Sequence, residues 1–166
     1  MATNSLAELI LVLAEKVRAL ESMRETLEEE RRLIIEARVD QLNDNTNRAL
    51  TLISRLNLLS SRFKALLLSA GEELGLSDSV TLSAVIPAAD RQKQPELREL
   101  QRKCFTAADA INRLLTMNKG LIRNSLEIID GSLSLFSRLL GGCETYGAAG
   151  RLHNGKAQAG IICREI

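Results

Sequence analysis

The residues able to do chemistry in this chain are few, and their spacing does not suit catalysis. His153 is the one histidine, and it sits in a glycine-rich C-terminal stretch. A Ser-His-Asp or Cys-His device needs a rigidly held base, which a mobile tail does not supply. A di-metal site in a helical bundle needs Glu-x-x-His steps on two helices, and no helical segment here holds a His. Cys143, His153 and Cys163 offer three possible zinc ligands, at a spacing unlike the usual paired patterns. No glycine loop joins a strand to a helix to cradle phosphate. The expectation is no metal, no cofactor and no enzymatic activity.

Other functions are narrowed by composition. Lys plus Arg number 22 and Asp plus Glu 21, a net charge of +1. That balance creates no field to draw a nucleic-acid backbone or anionic lipid. The basic pairs Arg31-Arg32 and Arg102-Lys103 read as solvated helix faces. Three cysteines, Cys104, Cys143 and Cys163, are odd in number and widely spaced, which argues against a disulfide framework and fits a reducing cytosol. The apolar run Leu9 to Ala14 is bounded by Glu8 and Glu15 and lacks a basic leader, so it reads as neither signal peptide nor membrane span.

The elements that would position any functional residue are helices. Leu, Ala, Glu and Arg abound, with 3 Phe, 1 Tyr, no Trp and 2 Pro. A first helix is predicted over 5–38, opened by a Ser5-to-Glu8 capping box. Leu6, Leu13, Leu20, Leu27 and Ile34 recur every seven residues along it. A second is predicted over 40–70 with Asp40 as N-cap and a seam of Leu42, Ala49, Leu56, Phe63 and Ala70. The short joint favours an antiparallel hairpin, with a bent rod as the alternative. Residues 71–94, punctuated by Gly71, Gly75 and Pro87, read as a linker with an apolar patch from Val80 to Ile86.

A third helix over 95–140 would be roughly 65–70 Å long. Leu100, Ala107, Leu114, Leu121, Ile128 and Leu135 are spaced by seven, and Ala108, Leu115, Ile122, Ile129 and Phe136 repeat that spacing one step on. A second row begins apolar at Leu97, Cys104 and Ile111 and turns polar at Asn118, Ser125 and Ser132. Gly141-Gly142 signals the end of the helix, and 141–166 reads as a flexible tail. The predicted fold is all-α: a coiled-coil-like bundle over 1–140, made of a helical hairpin plus a long third helix, followed by that tail.

Two segments carry a family resemblance: Asn118-Lys119-Gly120-Leu121-Ile122 in the last helix, and Glu144-Thr145-Tyr146-Gly147-Ala148-Ala149-Gly150 in the tail. With the helix–linker–long helix order, they resemble the FlgN family of flagellar export chaperones. The resemblance implies a cytoplasmic protein that binds the C-terminal helices of hook–filament junction proteins (FlgK and FlgL types). It would keep them unassembled and deliver them to the type III export gate. It also implies that Tyr146, with Gly147 and Gly150, docks on the gate protein FlhA. Ala149 stands where the family step commonly has an acidic residue, and Cys143 and Cys163 lie outside the pattern. The client groove is expected to be lined by Asn118, Leu121, Ile122, Ser125, Ile128, Ile129, Ser132, Leu135 and Phe136. The same stripe would serve equally as internal core, and Tyr146 could instead pack on the end of the bundle. A self-assembling scaffold and a chaperone of another secretion system are the competing readings, and a homo-oligomer is compatible with the broad seams.

Overall fold

The computed structural model describes residues 4–76 and 80–140. They form α1 (Asn4–Ile35), α2 (Val39–Glu73), α3 (Leu82–Ala88) and α4 (Gln94–Leu140). The fold is all-α. The chain divides into two compact units, Met1–Ile122 and Arg123–Ile166.

Helix α1 stops three residues before the expected boundary, for a backbone reason. Ala37 takes a left-handed conformation, φ 55°, and closes the helix as a Schellman turn. The Arg38 N–H donates to Leu33 O at 3.0 Å and the Ala37 N–H to Ile34 O at 3.2 Å. An alanine here pays the steric cost of Cβ that a glycine avoids. Helix α2 follows at once from Arg38, which makes no side-chain cap. Asp40, expected at the cap, lies in the first turn, where its charge complements the helix dipole. Ser5 likewise sits inside α1, and its hydroxyl donates to Glu73.

That last bond shows the hairpin. The start of α1 meets the end of α2, Lys16 lies over the Phe63 ring, and Asn45 Nδ2 donates to Thr26 O at 3.0 Å. These pairs descend along α2 as they ascend along α1, so the two helices are antiparallel. Val12, Ala19 and Leu59 are buried together at their interface, with Leu56, Phe63 and Leu66 against them.

In the first unit α4 lies parallel to α1. Its Leu97 is packed with Leu6, Leu9, Ile10 and Leu13, and its Asn118, further along, reaches Leu27 and Glu30. Helix α1 is therefore covered by α2 and by α4. This explains why it buries more than one seven-residue seam: Leu9, Val12, Val17, Ala19, Met23 and Leu33 are buried beside Leu6, Leu13 and Leu27.

The segment expected as linker holds a short helix. Thr81 caps α3 by accepting the Ala84 N–H, and Val85, Ile86 and Ala89 enter the main core with Ala70 and Leu97. The predicted apolar patch is thus part of the core. Helix α2 ends in a second Schellman turn, with Gly75 at φ 68° and the Leu76 N–H donating to Gly71 O at 2.9 Å. Gly71 also permits close approach: a Cβ there would lie 2.5 Å from the Val80 methyl carbons. Helix α4 then begins one residue before Pro95, in the first turn, where a missing N–H costs nothing.

Candidate functional site

The residues expected to bind the client lie on α4, and the structure separates them by environment. In the first unit the row Leu97, Cys104, Ile111 and Asn118 turns inward. Asn118 is 2% exposed. Its Nδ2 donates to Leu27 O at 2.9 Å and to Glu30 Oε2 at 2.6 Å. The Oδ1 has no partner among the described residues. Beside it, Arg31 Nη1 donates to Met117 Sδ at 3.8 Å. Asn118 therefore ties α4 to α1, and its amide is engaged within the chain. Leu121 is half-buried and Ile122 is exposed.

The second unit, over its described residues 123–140, is one continuous stretch of α4. All of its described side chains are exposed. They include Leu126, Ile128, Ile129, Leu133, Leu135, Phe136 and Leu139, with Ile128 69% and Phe136 57% exposed. Ser125 and Ser132 are exposed too, and the Ser132 hydroxyl donates back to Ile128 O at 2.8 Å. The stretch is sustained by local pairs such as Arg123 with Glu127, at 3.0 Å. Gly131 works against it, and a Cβ there would meet nothing within 4 Å among the described residues. Seven large apolar side chains on five turns, with no apolar neighbour covering them among the described residues, form a surface suited to another helix.

A comparison with protein families now bears on this helix. A family described as FlgN protein matches residues 1–154. The chain belongs to the FlgN family. That places it, as a FlgN protein, among flagellar export chaperones. Comparison with curated proteins and with solved structures gives no match.

The FlgN match extends through Tyr146, Gly147 and Gly150, which lie outside the described residues, as do Cys143, His153 and Cys163. Among the described residues no three His, Cys, Asp or Glu side chains group as a metal site requires. No helix there is long and apolar enough to cross a membrane.

One surface escaped sequence reasoning. A groove of about 320 Å³ in the first unit is lined by residues of all four helices, including Lys16, Phe63, Leu82 and Phe105. Phe105 is 70% exposed although it adjoins the inward row. Its position one residue after Cys104 was the available signal. The parallel placement of α4 on α1, which builds the groove, has no local signature in the sequence.

Proposed function

We propose that this FlgN-family chaperone binds the C-terminal helices of hook–filament junction proteins of the FlgK and FlgL type in the bacterial cytoplasm. It holds them unassembled and passes them to the export gate. The client lies along α4, against Leu121, Ile122, Ser125, Ile128, Ile129, Ser132, Leu135 and Phe136, with Asn118 fixing the register of α4 from within.

The exposed apolar stretch carries this reading. Covering Ile128, Ile129, Leu135 and Phe136 alone is worth about 6–12 kcal/mol before association and ordering costs. An assembly helix left uncovered has the same unpaired apolar face and would polymerise early, so pairing the two faces protects both. The serines interrupt the apolar surface and discriminate between registers. Tyr146, with Gly147 and Gly150, serves the other half of the task as an anchor for the cytoplasmic domain of FlhA. That assignment rests on the family resemblance of the tail.

The test is calorimetric titration with C-terminal peptides of junction proteins. One-to-one binding at micromolar affinity or tighter is expected, with a negative heat-capacity change. A folded protein that binds none of them removes the proposal, and a large oligomer in sedimentation would point to a scaffold that pairs this stretch with itself. Tyr146→Ala is expected to spare client binding and weaken binding to FlhA. Unchanged affinity for FlhA would remove the gate role.

A further inference from the structure

The first unit has a second apolar surface that shares no residue with the proposed client face. Its two long walls are the parallel helices α1 and α4, with Phe63 of α2 and Leu82 of α3 completing the lining. Leu13, Lys16 and Leu20 line it from α1, and Gln101, Cys104 and Ala108 from α4. Each trio is spaced by three, four or seven and so occupies one face over two turns, about 10 Å of helix. Gln101 Nε2 donates to Ser83 Oγ at 3.0 Å, joining α4 to the start of α3 beside it.

Charge distinguishes this groove from a plain packing defect. Lys16 is the one charged side chain among its lining residues. The ammonium lies 5.2 Å over the Phe63 ring, and it has no carboxylate at ion-pair distance among the described residues. A cation at the border of an apolar groove is complementary to an acidic group delivered with apolar neighbours. Two parallel helices with a gap between their ridges accept a third helix.

We infer that this groove binds an acidic amphipathic helix of a partner protein. Its apolar residues sit among Leu13, Leu20, Phe105 and Ala108, and a carboxylate pairs with the Lys16 ammonium. The Cys104 thiol reports on the site. Burial pushes its pKa up, and the nearby Lys16 charge draws it partly back. An occupant would cover that thiol.

The experiment uses the full chain carrying Cys143→Ser and Cys163→Ser, so that Cys104 is the one thiol. Two synthetic amphipathic helical peptides share their Leu and Phe positions and differ in flanking Glu or Lys. The acidic peptide is expected to slow labelling of Cys104 by a maleimide, with affinity about tenfold or more above its basic twin. Lys16→Glu should reverse that preference while circular dichroism stays unchanged. Ala108→Trp, which fills the groove, should abolish protection by the acidic peptide. Equal protection by the two peptides, no protection by either, or a preference that survives Lys16→Glu would each overturn the inference. So would protection that grows with protein concentration in the absence of peptide, which would make a second copy the occupant.

Discussion

Helix α4 carries one seven-residue apolar repeat along its length, and the two units of the chain use it differently. In the first unit Ala107 is buried and Leu100, Leu114 and Leu121 are half-buried, and Leu97, which opens the adjacent row, is fully buried. In the second unit the continuation of that repeat, Ile128 and Leu135, is exposed, as are its neighbours Ile129 and Phe136. Residue type, spacing and helical state are alike. What differs is whether α1 and α3 supply apolar surface opposite, as Leu6, Leu9, Leu13 and Val85 do for Leu97. An apolar period thus identifies a face that needs a partner without saying which chain provides it.

The sharpest way to break this comparison is truncation in each half. Leu97→Ala removes a fully buried side chain from the main core and should destabilise the protein by about 2–5 kcal/mol in urea unfolding. Ile129→Ala and Phe136→Ala should change stability by under about 0.5 kcal/mol, because both side chains are exposed and none of the described residues buries them, while weakening client binding at least several-fold. Should Phe136→Ala unfold the free protein as Leu97→Ala does, the stretch is core and the client face fails.

The polar row gives the next largest contrast. Asn118, Ser125 and Ser132 follow one another at seven-residue intervals. Asn118 is buried and donates to Leu27 O and Glu30, whereas Ser125 is exposed. Asn118→Ala should cost about 1–3 kcal/mol, part of it from the Glu30 carboxylate losing its donor. Ser125→Ala should leave stability within about 0.5 kcal/mol of the parent. Thermal unfolding of both variants checks the pair, and equal losses would mean that the row has one environment throughout.

Much of this was legible beforehand, and the exceptions have physical causes. The hairpin followed from the short joint after Arg38, whereas α2 runs past its expected end at 70 to Glu73, because the left-handed turn falls at Gly75 rather than at Gly71. The end of α1 was misplaced because Ala37, rather than glycine, takes that conformation. The α3 helix was too short for periodicity to register, although Thr81 three residues before Ala84 is its cap. For the proposed client face, spacing singled out Ile128, Ile129, Leu135 and Phe136 as an apolar stripe, but burial decides between core and surface, and burial depends on tertiary partners. Asn118 illustrates this from the other side: the same row position that faces solvent at Ser125 is filled by α1 at 118. The Lys16–Phe63–Phe105 groove was invisible because it arises where all four helices meet.

Glycines give a smaller effect of predicted sign. Gly120 and Gly131 lie within α4, and a Cβ at either would meet nothing within 4 Å among the described residues. Alanine at each should add about 0.5–1 kcal/mol of helix stability. For Gly120→Ala the gain should appear in global unfolding. For Gly131→Ala it should appear as slower amide exchange over 123–140, since those residues bury little whose loss would report on the whole. A rise in global stability from Gly131→Ala equal to that from Gly120→Ala would show the two stretches unfolding as one.

Surface charge should be the property in which the halves barely differ. Arg113 pairs with Asp109 at 2.7 Å and Arg123 with Glu127 at 3.0 Å, each across one helical turn and each largely exposed. Solvent screening leaves such pairs worth about 0.3–0.5 kcal/mol. Helix direction gives a small asymmetry: Asp109 precedes its arginine, the favourable order against the dipole, while Glu127 follows its own. Double-mutant cycles read by helicity should therefore find both couplings small, with the Asp109 pair slightly ahead and both reduced by salt. A coupling above about 1 kcal/mol for Arg123 and Glu127 would require a desolvated pair, and the second unit would then have a covering surface that its exposed leucines and isoleucines deny.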